Sequence, residues 1–424
     1  MVVEIITIGD ELLIGQVVDT NSAWMAVELN KVGLDVRYKT TIGDNEKDIL
    51  DALEKAFSRA SIVLVTGGIG PTKDDITKKT LCKYFNTQLV FDEKTLKTIE
   101  EVIGRLHRTM NELTRFQAYV PENCTVIQNK MGTAPVTWFE KNGKILVSMP
   151  GVPYEMKWAM QKEIIPRLQK AFPTSGFIQH QAYWVKNYSE SMLALHLEVF
   201  ENELPQSIKL AYLPTSGLVR LRLTGKGANE AILNQRMKMQ RDKLFALLSG
   251  NIVSEEDNAL ENVLDKILRD KKLTLSVAES CTGGKLASLF TVIPGCSEYF
   301  KGGVVSYSNE AKIRILDVNA TDIDKYGAVS QPVVEQMVLG AQHIFQTDCA
   351  IAVSGVAGPG GGTPEKPVGT VWIAVVYKGK YRSLKFHFSQ NRESNILRAC
   401  NCGMTMLLEM LQPFLCMNFG GEDT

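Results

Sequence analysis

The chain has 424 residues, more than one ordinary core accommodates, which predicts two or three domains. It is 45% hydrophobic and 22% charged, with Lys+Arg and Asp+Glu equal at 47 each, a balance that argues against a chain-wide polyanion-binding surface. Eight cysteines without a CxxC pair and five histidines without HxxxH or HExxH spacing argue against zinc and histidine-metal sites; with no apolar stretch near the roughly 20 residues of a membrane span, the expectation is a cytoplasmic protein with reduced thiols and no membrane partner.

Residues 1–80 alternate apolar, β-branched runs ("VEIITIGD", "DVRYKTTIGD", "SIVLVTGG") with amphipathic stretches ("TNSAWMAVELNKVG", "NEKDILDALEKAFSRA"). That alternation predicts an α/β domain with a parallel sheet covered on both faces. Ligands in such sheets sit at the carboxyl ends of the strands, where "GDE" (Gly9, Asp10, Glu11) and "TGGIGPTKDD" (66–75) both fall. Glycines such as Gly67, Gly68 and Gly70 let backbone N–H groups approach phosphate oxygens, and the helix that follows offers its positive end. Asp74 and Asp75 would repel an anion unless a divalent cation, magnesium or a similar ion, lay between them, with Glu11 completing the shell. The plainer alternative is a tight turn whose Thr72, Asp74 and Asp75 cap a helix start.

"ILVSMPGVPYEMKWAM" adds a strand, a Pro-Gly-x-Pro turn and a long helix ending near Lys170, and "AFPTSGF" (171–177) reads as a linker. Residues 178–250 then read strand, helix, hairpin, helix, a small α+β module. From about Asn258 an α/β pattern returns, with strands expected at "LTLSVAES", "GGVVSYS", "CAIAVSG", "GTVWIAVVY" and "YRSLKFHFS", and a closing helix from Glu393.

In this last part "VAESCTGG" (277–284) leads a strand into a helix, and Ser280 there is a nucleophile, an amide-binding hydroxyl or an N-cap. In "YSNEAK", Ser308 caps a helix and places Lys312 in its first turn, where the dipole disfavours the ammonium form. A lysine so tuned serves as general base to a serine. Two serines compete for it: Ser280, and Ser297 in "PGCSEYF", fifteen residues before Lys312.

These segments carry a resemblance. "TIGDELLIGQVVDTNS", "TGGIGPTKDDITKKTL", "MGTAPV" and "MPGVPYEMK" resemble the N-terminal domain of the CinA family, which is similar in fold to molybdopterin-binding domains. The resemblance covers the whole chain and implies residues 1–170 as a metal-dependent ADP-ribose pyrophosphatase giving AMP and ribose 5-phosphate. It implicates Asn21, Thr66, Gly67, Gly68, Gly70 and Thr72 in substrate binding, with Asp10, Glu11, Asp74 and Asp75 as metal ligands. Val136, after Pro135, stands where the family usually has glycine. Residues 171–253 resemble the family's KH-like insert but lack a GxxG loop, so a spacer or dimerisation element is expected and nucleic-acid binding is not.

Residues 254–424 resemble the family's nicotinamide-nucleotide amidase domain, which hydrolyses NMN to nicotinate mononucleotide and ammonia without a cofactor. The resemblance implies a Ser–Lys pair, with Ser297 the first choice as nucleophile to Lys312 and Ser280 orienting the amide. Tyr307 would assist proton transfer, N–H groups around Thr282 and Gly283 would form an oxyanion hole, and Gly284 would join them in substrate binding. "SGVAGPGGGTPEKPVG" supplies Ser354, Gly355 and Gly358 for ribose and phosphate, and Arg392 in "FSQNRE" would hold the phosphate; Gln390 and Asn391 depart from the family's usual Gly-Asp. The whole is expected to be a homodimeric recycling hydrolase of pyridine nucleotides. A molybdopterin-handling enzyme and a non-catalytic accessory of competence and DNA uptake are the alternatives.

Overall fold

A computed structural model describes residues 1–72, 75–173, 176–256, 258–389 and 391–412. By packing, the chain falls into two compact units, Met1–Gln179 with Lys226–Leu233, and His180–Gly225 with Asn234–Thr424.

The first unit is built on β1 (Val2–Ile8), β2 (Asp35–Ile42), β3 (Ile62–Thr66), the short pair β4 (Leu89–Phe91) and β5 (Tyr119–Pro121), then β6 (Thr125–Ile127), β7 (Val136–Lys141) and β8 (Lys144–Met149). Six of them form one sheet in the order β2-β1-β3-β8-β7-β6. β2, β1, β3 and β8 run parallel, while β7 and β6 are antiparallel additions at one edge. β3 is buried at every residue, as a strand covered on both faces must be, and its run "IVLVT" supplies the branched side chains for it. Helices Thr20–Lys31 and Glu46–Arg59 begin on side-chain caps from Asp19 and Asn45. The long helix expected to end near Lys170 runs from Pro153 to Ala171 with a π-turn at Met160–Ile164, so its one irregularity is a bulge and not a break. Val136 opens β7 and is fully buried, which accounts for a branched residue at that position.

The second unit carries β9 (Phe177–Val185, the main part), β10 (Ile208–Thr215), β11 (Leu218–Gly227) and β12 (Ile252–Ser254) in the sheet order β10-β11-β9-β12. Its larger sheet comprises β13 (Leu275–Glu279), β14 (Phe300–Val305), β15 (Cys349–Gly355), β16 (Thr370–Tyr377) and β17 (Lys380–His387), ordered β14-β13-β15-β16-β17. β14, β13 and β15 are parallel; β16 and β17 fold back antiparallel. The small α+β module shares its core with the C-terminal domain. Trp184, Leu218 and Val253 share one apolar core with Leu264, Val277 and Met406, and the Trp184 indole N–H donates to the Asn258 carbonyl at 2.9 Å. Among the described residues, no helix is long and apolar enough to cross a membrane.

Candidate active sites at the strand ends

The carboxyl ends of β13, β14 and β15 form one site. β13 ends on Glu279, whose side chain is buried and accepts three backbone N–H groups, Gly284 and Leu286 at 3.0 Å and Ala287 at 2.8 Å. Glu279 therefore starts the helix Lys285–Thr291 and neutralises its positive end. Ser280 follows, anchored by its own N–H to the Val353 carbonyl of β15 at 3.0 Å. Where β14 ends, Ser306 donates its N–H to the Glu279 carbonyl at 2.8 Å, and Ser308 caps the helix Asn309–Leu316 by accepting from Ala311 N. That helix aims Lys312 back over the sheet end.

Lys312 is 1% exposed, and its Nζ lies 3.0 Å from Ser280 Oγ and 2.7 Å from the Ser306 carbonyl. No carboxylate pairs with it among the described residues. Burial pushes its pKa below the ordinary lysine value, so the direction expected holds, with desolvation as its leading cause. Next to the serine, burial holds the Cys281 thiol up at about 12, so it stays protonated and does not compete as a nucleophile.

Ser297 is corrected. It sits exposed in a turn of 3-10 helix (Cys296–Glu298) before β14 begins, at the opposite end of the sheet from Lys312. The length of β14 separates the two, about 17 Å at ~3.3 Å per residue. Sequence proximity misleads here because a strand, not a turn, fills the interval. The oxyanion donors also shift: the Gly283 N–H donates to the Ser280 carbonyl and the Gly284 N–H to Glu279, so neither is free. Thr282 is buried, and its Oγ1 has no partner among the described residues.

Arg392 joins three expected elements. Its guanidinium donates to the Gly358 carbonyl at 2.7 Å and to the Tyr307 hydroxyl at 3.0 Å. Asn391 caps the helix Arg392–Leu411 by accepting from Ser394 N, which gives that departure from the family pattern a structural role. Gln390 lies outside the described residues. The Ser354 hydroxyl is spent on the Ala328 carbonyl at 2.7 Å, and Gly355 ends β15 beside it, so both shape the wall.

In the first unit the ends of β1, β2 and β3 line a cleft of about 430 Å³ that includes Glu11, Asn21, Asp44, Gly67, Gly68 and Asp75. Gly67 and Gly68 have φ of +107° and +62°; a Cβ on Gly67 would stand 2.1 Å from the Ile8 carbonyl oxygen, so the turn demands glycine. Thr66 Oγ1 donates to the Pro150 carbonyl and Asn21 Nδ2 to the Gly151 carbonyl, each at 2.7 Å, tying the glycine turn to the Pro-Gly-x-Pro turn.

The carboxylates answer the metal expectation differently. Asp75 accepts from Gly70 N at 2.7 Å, from Thr72 N at 2.9 Å and from the Thr72 hydroxyl, so it closes its own loop. Asp10 and Asp44 bond reciprocally, each backbone N–H to the other's carboxylate, at 3.1 and 3.2 Å. Among the described residues no three acidic, histidine or cysteine side chains gather closely enough to hold a metal ion, and of the expected set Asp10, Glu11, Asp74 and Asp75 one member, Asp74, falls outside them. Asp44 was missed; burial first, then Asp10, Glu11 and Asp75, raise its pKa. Its signal was available, since "TIGD" occurs at 7–10 and again at 41–44, and parallel register pairs Thr7 with Thr41 and Ile8 with Ile42.

Comparison with known proteins defines the class first. Residues 4–170 match the family model "Probable molybdopterin binding domain", and residues 257–411 match "CinA C-terminal domain". A CinA-like protein of Flavobacterium psychrophilum is 45% identical over 95% of this chain and 97% of its own length, and one of Cytophaga hutchinsonii is 43% identical over 93% and 94%. A solved competence/damage inducible protein from Agrobacterium tumefaciens is 35% identical, covering 36% of this chain and 93% of its own, with a TM-score of 0.35. The chain belongs to the CinA family.

Proposed function

We propose that the second unit is a metal-free amidase acting on the carboxamide of NMN, with Ser280 as nucleophile and Lys312 as base. The observation that carries this is a buried amine, without a carboxylate partner among the described residues, 3.0 Å from a serine hydroxyl. A neutral Lys312 takes the Ser280 proton as Oγ attacks the carboxamide carbon. The Thr282 hydroxyl, buried and unpartnered, supports the developing oxyanion. Collapse breaks the C–N bond, and the Lys312 ammonium returns its proton to the departing ammonia. Water, deprotonated by the same amine, then hydrolyses the acyl-serine to nicotinate mononucleotide. Arg392, exposed and without a carboxylate partner among the described residues, receives the phosphate beside Tyr307. Purified full-length protein given NMN should release ammonia, Ser280→Ala should not, and Ser297→Ala should stay near wild type. Turnover by Ser280→Ala would remove this mechanism.

A second activity, ADP-ribose hydrolysis in the first unit, is favoured by the cleft of about 430 Å³ with its glycine turn and five carboxylates, Glu11, Asp19, Asp44, Asp75 and Glu155. A divalent cation suits that oxygen-rich charge, but the described residues do not by themselves close a shell around one, and no step is drawn through it. Gly67→Val should abolish ADP-ribose cleavage and leave NMN turnover intact. Pterin binding without ADP-ribose turnover would favour a molybdopterin-handling role instead.

A further inference from the structure

The second unit holds a further cleft, of about 460 Å³, that the amidase reading does not use. One wall is aromatic. Leu384, Phe386 and Phe388 alternate along β17 and its continuation and so face the same way, and the two phenyl rings lie 5.7 Å apart at 23°. Across from them the glycine turn at Gly217, with φ +90°, lies against the stem of Arg398 on the helix Arg392–Leu411, where a Cβ would stand 3.6 Å from the arginine Cγ.

The polar groups are unbalanced. Lys186, Arg382 and Arg398 face a single carboxylate, Glu409, which pairs with Lys186 and, at 2.6 Å, with Arg382. Arg398 is left over. Its Nε is buried with no hydrogen-bond partner, and no ion pair reaches its guanidinium among the described residues. Two turns further along the same helix face (i, i+7), about 10 Å on at 1.5 Å per residue, Thr405 is 6% exposed and its hydroxyl is also unpartnered among the described residues. Arg398 is half-buried with its Nε shut away from solvent, so a buried N–H and a buried hydroxyl both lack partners, and an anion with acceptor oxygens would supply them. The volume is that of a small-molecule site, and stacked phenyl rings offer a face to a planar base.

We propose that this cleft binds a mononucleotide, its phosphate on Arg398 and Thr405 and its base against Phe386 and Phe388. The ligand class follows from one anion-seeking end and one aromatic wall, and it does not depend on NMN being the substrate at Ser280.

The test is photolabelling of the full-length protein with 8-azidoadenosine 5′-monophosphate, followed by peptide mapping. Label is expected on peptides carrying Lys186–Ser189 or Arg398–Glu409, and Arg398→Met should reduce it at least tenfold while labelling elsewhere is unchanged. Thr405→Val, which keeps the side chain's shape, should lower it severalfold and repeats the test without disturbing a charge. Label confined to other peptides, absent altogether, or insensitive to both substitutions overturns the proposal.

Discussion

In the proposed amidase reaction the Ser280–Lys312 pair acts through protonation. Burial lowers the Lys312 pKa, so the neutral amine appears at lower pH than for an exposed lysine, and NMN turnover should rise with pH through that depressed value. The same shift has a stability sign. Between the depressed value and the ordinary 10.5 the unfolded chain binds the extra proton, so stability should increase with pH across that window, and Lys312→Met should flatten it. A pH–rate profile and urea titrations at several pH values check both, and a rate falling with pH in this range would contradict the base assignment. Removing Ser280 or Lys312 alone should each cost on the order of 10⁴-fold, with the double variant little worse, because they act as one unit. Arg392→Ala should chiefly raise KM for NMN, since a phosphate grip serves ground and transition states alike.

At the scale of elements, Glu279 is the peg on which the site hangs. Three backbone N–H groups of one helix start end on its carboxylate. Glu279→Gln replaces one acceptor oxygen with an N–H that faces donors, and should cost about 1–3 kcal/mol in chemical denaturation. It should also lower kcat more than it changes KM, because the serine beside it loses its fixed position. The sequence made the elements legible where periodicity was strong. Strand runs such as "IVLVT" and "CAIAVSG", the Ser308 cap and the lysine behind it all stand as read. What it hid was partnership across the sheet. Ser297 and Ser280 are alike as residues near Lys312, and only the direction of β14 separates them. Glu279 gave a faint sign, a carboxylate inside a buried run. Asp75 gave an ambiguous one, because the same residue type closes a loop or holds a cation, and the hydrogen bonds from Gly70 and Thr72 show the first of these roles.

For the whole molecule, the shared core of the module and the C-terminal sheet predicts where the chain tolerates cutting. Trp184, Leu218 and Val253 cover apolar surface of the second unit. A fragment of residues 180–424 should therefore unfold at higher denaturant than one of residues 258–424, which leaves that surface bare. The difference should reach several kcal/mol, at about 1.5–3 kcal/mol for each large apolar side chain whose cover is lost. Equal midpoints would show the module to be an appendage. The composition could not disclose this, since a buried tryptophan reads the same whichever core it enters.

The proposed nucleophile and base ride on adjacent parallel strands, each reaching the site through a few residues of connecting chain, Ser280 directly after β13 and Lys312 seven residues after β14. Such an arrangement is sensitive to length as well as to identity. Deleting Tyr307, the one residue between Ser306 and Ser308, shortens the non-helical link between β14 and the helix by up to about 3.5 Å, which drags the helix start and moves the amine from the hydroxyl even though both side chains are still present. The hairpin tip at Lys378–Gly379, where a Cβ on the glycine would meet open space, has no such accounting to keep. A deletion and insertion scan should find the first segment closed to any change in residue number, with activity lost before stability, and the second open to it.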